Sequence, residues 1–331
     1  MTETTPTVSI IVPCYNEEAT IRLLLEAVAA QTYPRSGIEL VIADGNSTDG
    51  TREEIARYQE SHPDLDIHIV DNARRTIPAG LNAAIRAARG EYLVRIDAHS
   101  RPFPDYVERC LKALQEGIAE NVGGIWEIQP GGAGWIPRSI AVAAAHPLGV
   151  GDAHYRLGGR PRYVDTVPFG SFRRDLIERI GYFDESLLTN EDYEFNVRVL
   201  SSGGKIWLDP DIRAVYIARS TLLELAKQYF RYGYWKGKML QRYPGTLRWR
   251  LLLPPLFITS LILSGICSIF IPFFDQIFIG LIAVYLLALT LAGLQVTLKE
   301  GELSLIIGFP LAVGTMHLSW GSALLWSLVV R

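Results

Sequence analysis

The chain has 331 residues and a net charge of only −3, enough length for one large α/β domain plus something smaller and no global field to draw it to nucleic acid. The average hides a division. From Leu251 to Val330 the acidic and basic side chains are Asp275, Lys299, Glu300 and Glu302 alone, so a soluble domain is followed by a membrane domain.

Met1 to Val8 is polar without an apolar core, which predicts no cleavable signal peptide and a soluble domain that stays in the cytoplasm. Val8 to Val12 is a short β-branched run ended by Pro13, the pattern of a buried parallel strand. Glu17 to Ala30 places Ile21, Leu24, Leu25 and Val28 at helical spacing. Glu39 to Ala43 is a second strand, and Asp49 to Glu60 a helix entered through the turn Asp44 to Gly50. A third strand at Ile67 to Val70, a helix at Pro78 to Ala88 and a fourth strand at Tyr92 to Ile96 complete the run. Such alternation predicts βαβ units and a parallel sheet, with ligands beyond the carboxyl ends of the strands. Pro13 to Glu17, Asp44 to Asp49 and Asp97 to His99 all fall there.

From Asn121 to Val164 the pattern weakens into Gly- and Pro-rich loops whose strands cannot be placed. Regularity returns with helices at Arg174 to Ile180 and Glu191 to Ser201, then a short strand at Lys205 to Leu208. Thr221 to Arg250 interleaves Lys227, Arg231, Lys236, Lys238, Arg242, Arg248 and Arg250 with tyrosines and tryptophans. That composition suits a helix in the headgroup layer; the alternative is a solvated helix packing its aromatics on the globular domain. Three apolar stretches follow, at 251–274, 277–298 and 303–330, each meeting the roughly 20 residues a bilayer crossing needs. The expected domains are therefore 1–220, an interfacial region at 221–250, and transmembrane helices at 251–331. Cations before Leu251 set that end as cytoplasmic, and three crossings would put Arg331 outside. Gly308, Pro310 and Gly314 leave a broken or re-entrant third helix open, and His317 inside it is a polar residue at membrane depth. Cys14, Cys110 and Cys267 have no metal or redox spacing and read as thiols of a reducing compartment.

Three short patterns carry chemistry. Asp97 and His99, two residues apart at a strand end, can grip one face of a divalent cation and leave positions for phosphate oxygens; the plainer alternative is a turn aspartate capping its own loop. An imidazole ligand suits Mn²⁺ somewhat better than Mg²⁺. Asp44 in the turn Asp44 to Thr51 can accept from a base N–H, or simply make an Asx turn. Glu191 and Asp192 put adjacent carboxylates near a helix N-terminus, which helps keep a general base ionised; ordinary N-capping by Asp192 is the competing explanation.

Together these patterns resemble the family 2 inverting glycosyltransferases. The resemblance runs from about residue 7 to 240. It rests on Val8-Ser-Ile-Ile-Val-Pro-Cys-Tyr-Asn-Glu-Glu18, the Asp44 to Thr51 turn, Gly90-Glu-Tyr-Leu-Val-Arg-Ile-Asp-Ala-His99, Gly181-Tyr-Phe-Asp-Glu185 and Asn190-Glu-Asp192. Val164-Asp-Thr-Val, Phe169-Gly-Ser-Phe-Arg-Arg174 and Gln228-Tyr-Phe-Arg-Tyr-Gly233 are similar to the succinoglycan-biosynthesis glucosyltransferase group.

The resemblance implies a GT-A fold: a Rossmann-like mixed α/β sheet of the nucleotide-diphospho-sugar transferases, followed here by C-terminal transmembrane helices. It implies that Pro13, Tyr15, Glu17 and Asp44 line the nucleotide pocket, that Asp97 and His99 hold Mn²⁺ or Mg²⁺ on the diphosphate, and that Asp192 is the catalytic base with Glu191 in support. Gln228 and Arg231 stand where related synthases carry Q-x-x-R-W, with Tyr232 replacing Trp, so Arg231 would face a donor diphosphate or a lipid-linked pyrophosphate. Ala43 replaces the first Asp of the family's D-D-G-S turn. The expected enzyme is a membrane-bound, metal-dependent hexosyltransferase with its catalytic domain on the cytoplasmic side of the cell membrane. Its donor would be a UDP-sugar, and its acceptor a lipid-linked, polyprenyl-diphosphate glycan of exopolysaccharide or surface glycan synthesis. Membrane lipids are expected partners, nucleic acid is not, and oligomeric state stays open. The rivals are a polyprenyl-phosphate glycosyltransferase, a processive polysaccharide synthase, and a transporter subunit that only senses nucleotide.

Overall fold

The computed structural model describes residues 6–246 and 249–330. Arg248 and Arg331, used above to orient the chain in a membrane, and the polar start Met1 to Thr5 lie outside the described residues. Two compact units divide the chain: one holds the chain up to Glu127 with Gly158–Tyr216, the other Ile128–Leu157 with the chain from Ile217 on.

The first unit opens as β1 (Val8–Cys14), α1 (Ile21–Ala29), β2 (Ile38–Asp44), α2 (Thr51–Ser61), β3 (Asp66–Asp71), α3 (Ile77–Ala87) and β4 (Tyr92–Arg95). All seven residues of β1 and all seven of β2 are buried, which is why these strands read as continuous apolar runs rather than alternating ones. Ile21, Leu24, Leu25 and Val28 form the buried stripe of α1. Strands β5 (Arg101–Pro102), β6 (Asn121–Gln129), β7 (Arg162–Tyr163), β8 (Ser171–Arg173) and β9 (Ile206–Ile217) follow, with α4 (Tyr106–Gln115), α8 (Asp175–Ile180) and α9 (Glu191–Ser201) between them. Helices α5 (Trp135–Ala144), α6 (Pro147–Val150) and α7 (His154–Leu157) are numbered in chain order but belong to the second unit.

The strands form one sheet in the order β3-β2-β1-β4-β8-β6-β9-β5, with β7 paired to β9. The β3-β2-β1-β4 half is parallel, as the alternation predicts. From β8 outward the pairs recorded are antiparallel, so the sheet is mixed. Strand β6 lies in the stretch whose strands could not be placed from the sequence. Its Gly123-Gly124 pair looks like a turn in sequence, yet a Cβ on Gly124 would sit 1.7 Å from the carbonyl oxygen of Ile212 in the neighbouring strand β9. The glycine is a close-approach residue, not a breaker. Likewise β9 does not stop at Leu208 but continues through Pro210 to Ile217.

In the second unit, α10 (Leu222–Arg242) is entered through a capping box in which Thr221 and Glu224 exchange side-chain and backbone bonds. Three apolar helices follow: α11 (Leu253–Ser268), α12 (Phe273–Glu300) and α13 (Leu305–Val329). Helices α12 and α13 are long and apolar enough to cross a membrane. The sixteen residues of α11 make a helix of about 24 Å, and the apolar run that holds it, from Leu251 to Ile271, has the roughly 20 residues that a crossing needs. Helix α13 runs unbroken through Gly308, Pro310 and Gly314. The second unit joins the 128–157 segment, which includes α5 to α7, to the chain from Ile217 on, α10 included.

Candidate active site

At the carboxyl ends of β1 and β2 two loops are laced together. The amide of Asn16 donates to Ser47 Oγ at 2.8 Å, and Asn16 Oδ1 accepts from the amide of Thr48 at 2.8 Å. The amide of Glu17 donates to Thr51 Oγ1 at 2.8 Å. Tyr15 is an exposed ring lying on Gly45, where a Cβ would come within 3.0 Å of it, and the Arg75 guanidinium stands 5.7 Å from its centroid. Pro13 is buried in β1 against Gly80 of α3, so it shapes the strand end from within. Asp44 is wholly buried: its oxygens accept from the Ser47 amide at 3.1 Å, Ser47 Oγ at 2.5 Å and Arg52 Nε at 2.5 Å. Here it makes the Asx-type turn.

Asp97 and His99 follow β4 at the same edge. His99 Nδ1 lies 3.0 Å from Glu17 Oε1. A carboxylate on one ring nitrogen is the usual outer-shell support of a metal-binding histidine, and it fixes the tautomer that leaves the lone pair on Nε2. Glu17 therefore orients His99, a role its place in the sequence did not reveal.

Below them lies Arg95, two residues before Asp97. Its side chain is only 5% exposed; Nη2 donates to Glu191 Oε1 at 2.8 Å and reaches Asp97 Oδ1 at 3.4 Å. Nε and Nη1 are buried without a hydrogen-bond partner among the described residues, and the Phe183 ring lies 5.9 Å from the guanidinium carbon. Burial works against this charge, but Asp97, Glu191 and Asp192 together outweigh it and hold the guanidinium protonated. Burial lifts the Glu191 carboxyl, Arg95 opposes the lift and Asp192 adds to it; three carboxylates share one positive charge, and the most buried pays in affinity for its proton, rising to about 7. Arg95 was the missed residue. The signal was available, since a charge inside the apolar run Tyr92 to Ile96 must be paired to be buried.

Glu191 and Asp192 open α9. Asn190, in the left-handed region at φ 67°, is the residue before the helix, so Asp192 is not its N-cap. Asp192 is partly exposed; Oδ1 accepts from the Tyr193 amide at 2.7 Å, and no protein donor reaches Oδ2 among the described residues. The surrounding motifs hold this helix start. Asn82 of α3 grips both the amide and the carbonyl of Phe183 at 2.9 Å, and Arg198 donates to the carbonyls of Gly181 at 3.1 Å and Tyr182 at 2.9 Å. Tyr193 Oη donates to Asp165 at 3.1 Å, and Asn196 binds Thr166 Oγ1 at 3.0 Å. The turn at Phe169 and Gly170, both at positive φ, delivers the Gly170 carbonyl to the Arg95 amide at 3.0 Å.

Gln228 and Arg231 lie on α10, in the second unit. Gln228 is buried and donates to Tyr232 Oη at 2.9 Å, whereas Arg231 is exposed. Within the first unit, then, the structure gathers Glu17 with His99, and Asp97 with Glu191 and Asp192 around Arg95.

Glu39, Asp66 and His68 are the three metal-ligating side chains whose ligand atoms lie within 4.8 Å of one another among the described residues. They sit at the opposite, amino-terminal edge of β2 and β3, and the Arg89 guanidinium already fills the space. Its Nε binds Glu39 at 2.8 Å, while Nη2 pairs with Asp66 and lies 3.1 Å from His68. A cation there would have to displace another cation.

The mixed sheet with its active edge at the ends of β1, β2 and β4 is the GT-A glycosyltransferase fold. The same fold is seen in the mannosyltransferase PcManGT from Pyrobaculum calidifontis in complex with GDP-Man and Mn²⁺, at TM-score 0.64 and 22% identity over 98% of this chain and 88% of that one. The glycosyl transferase family 2 model matches residues 9–181. The succinoglycan biosynthesis protein ExoA of Rhizobium meliloti (strain 1021) is 32% identical over 247 residues, 74% of this chain and 73% of its own. The dolichyl N-acetyl-alpha-D-glucosaminyl phosphate 3-beta-D-2,3-diacetamido-2,3-dideoxy-beta-D-glucuronosyltransferase of Methanococcus voltae is 28% identical over 317 residues, 94% of this chain and 93% of its own. The chain belongs to glycosyl transferase family 2 and is a glycosyltransferase.

Proposed function

We propose that this enzyme transfers a sugar, with inversion, from a UDP-sugar to a hydroxyl of a lipid-linked, polyprenyl-diphosphate acceptor. It would work at the cytoplasmic face of the cell membrane, in exopolysaccharide or surface glycan synthesis. The observation that carries the reading is the gathering of Asp97, Glu191 and Asp192 around the buried Arg95 at the active edge of the sheet. One rigid frame then serves the donor diphosphate on one side and the acceptor hydroxyl on the other. The name of the Methanococcus relative, a transferase for a dolichyl-linked sugar phosphate, supports a lipid-linked acceptor, and that of the Rhizobium relative, a succinoglycan biosynthesis protein, supports exopolysaccharide synthesis.

Asp192 accepts the proton of the acceptor hydroxyl. It stands in the first turn of α9, and Oδ2 has no competing protein donor among the described residues. Glu191 supports it by holding Arg95 in place. Tyr15 and the turn organised by Asp44 receive the nucleoside, and Glu17 orients His99. The donor set fits a divalent cation, Mn²⁺ or Mg²⁺, held by Asp97 and by His99 through Nε2, with Glu17 on the other ring nitrogen. When bound, such an ion neutralises charge on the leaving diphosphate. Arg231, exposed on α10, suits a lipid-linked pyrophosphate, because a planar guanidinium binds phosphate oxygens in pairs. The apolar helices α12 and α13 supply attachment to the membrane.

Membranes holding the enzyme, given radiolabelled nucleotide sugars one at a time, test the reading. Label should enter a lipid extract only with an inverting enzyme's UDP-sugar donor and should need a sugar-bearing polyprenyl diphosphate. Label passing instead to bare polyprenyl phosphate would contradict it and make the chain a polyprenyl-phosphate glycosyltransferase.

A further inference from the structure

We propose that α13 is not a third membrane crossing. It lies in the plane of the membrane on the catalytic side, with one apolar stripe inserted among the lipids of that leaflet, and only the α11–α12 hairpin crosses.

The argument starts from how far the chain can reach. Helix α5 begins at Trp135 and β6 ends at Gln129, so six peptide steps connect them, about 20 Å at full extension. Helix α10 begins at Leu222, only five steps after β9 ends at Ile217. Neither link can carry the chain across a hydrocarbon core of roughly 30 Å. Both helices therefore start on the side where the sheet lies.

Helix α13 is packed along its length on these elements. In its first half, a Cβ on Gly308 would lie 2.0 Å from Ser139 Oγ of α5, and His317 Nε2 is 2.7 Å from the Leu148 carbonyl of α6. The rings of Phe309 and His146 meet edge-on at 4.9 Å. In its second half, a Cβ on Gly233 of α10 would lie 2.2 Å from the Trp320 carbonyl oxygen, and one on Gly237 1.7 Å from Ser327 Oγ. Lys238 Nζ donates to the Val330 carbonyl at 2.6 Å. The turn between α12 and α13 is held to the same side, since Arg138 of α5 binds Glu300 at 2.9 Å and Glu302 at 2.8 Å.

Helix α10 cannot follow α13 through a bilayer. Lys227, Arg231 and Arg242 are exposed on it, and each charge costs about 3 kcal/mol at the membrane centre. Helix α13 is thus bound lengthwise to a helix that must stay at the headgroups. What α13 leaves exposed is mostly apolar: Ile307, Leu311, Leu318, Trp326 and Val329 fall on one side at 100° per residue, with Ser322 among them and Leu328 beside them. An in-plane helix with a single apolar stripe is the form of an interfacial anchor. Its occupant is lipid, because the stripe continues the bare surface of α12, whose apolar window is only 17% buried against 39% for α13. Helices α11 and α12 pair antiparallel through Gly265 with Phe278 and Phe257 with Tyr285, as a crossing hairpin would.

The inference rests on the membrane attachment proposed above and on nothing in the transfer chemistry. Nitroxides placed singly at Leu311→Cys, Leu318→Cys and Trp326→Cys, in a Cys267→Ser background and in reconstituted vesicles, test it. All three should report one common immersion depth. A crossing helix would spread the first and last over about 22 Å, and that gradient would overturn the proposal. A polar C-terminal tag with one cysteine should react with a membrane-impermeant maleimide from the same face as Glu60→Cys, and from the face opposite Asp275→Cys. Reaction of the tag from the Asp275→Cys face would also overturn it. Three nitroxides with no immersion at all would also overturn it, whereas an enzyme that fails to stay with the vesicles would sink the attachment on which the inference rests.

Discussion

A buried guanidinium with two donors unpaired is costly, and Arg95 is kept in place because three carboxylates surround it. Removing the cation while leaving Glu191 buried should therefore cost both stability and rate. We expect Arg95→Met to lose about 3–5 kcal/mol of unfolding free energy. Its kcat should fall more than the donor KM rises, because Glu191 and Asp192 move together. Arg95→Lys should recover part of the rate. Denaturant unfolding beside steady-state kinetics checks this, and an Arg95→Met enzyme of wild-type stability and kcat would contradict it. For the donor side, His99→Ala should weaken Mn²⁺-supported UDP binding with the fold intact, and wild-type affinity should drop in EDTA. Equal affinity with and without the chelator, read by calorimetry, would count against Asp97 and His99 as ligands. The ligating and catalytic candidates were visible in the sequence because reactive groups sit at strand ends and helix starts. Arg95 and Glu17 were not assigned their roles, since a supporting residue is defined by what it touches across the fold.

At the scale of elements, the parallel half of the sheet was legible because fully buried strands and amphipathic helices leave strong periodic signals. Strand β6 and the part of β9 beyond Leu208 were not, because Gly124 and Pro210 read as breakers in sequence although the strands run through them. The parallel half is stapled at its amino-terminal edge by Glu39 of β2. Its carboxylate accepts from Ser9 of β1 and from Arg89 and Gly90 ahead of β4. Burial pushes its pKa up, but these hydrogen bonds outweigh that and hold it below the ordinary value. A lowered pKa contributes stability above the unfolded value of about 4.3, which is lost as pH falls through the folded one. Glu39→Gln should therefore lower stability by about 2 kcal/mol near neutral pH, with the gap closing in acid. Melting temperatures across that range would show it; a gap that widened in acid would reverse the sign.

At the scale of the whole molecule, the apolar character of the chain from Leu251 on was visible in the charge distribution alone, and α12 and α13 there are long and apolar enough to cross a membrane. That residues 128–157 fold with the C-terminal helices was not, because the apolar face of α5 has no partner until α13 supplies it. With α12 and α13 as lipid-facing elements, the enzyme should pellet with membranes in high salt and come off only in detergent. Release by salt alone would point to a purely electrostatic attachment. The central claim is that a neutral hydroxyl is activated by Asp192 at this edge of the sheet. Single-turnover transfer to a lipid-linked sugar acceptor by Asp192→Asn tests it most directly. The rate should fall by at least about a hundredfold, while UDP and metal affinities stay near wild type. Near-normal turnover by Asp192→Asn would contradict the account and favour an acceptor that is already an anion.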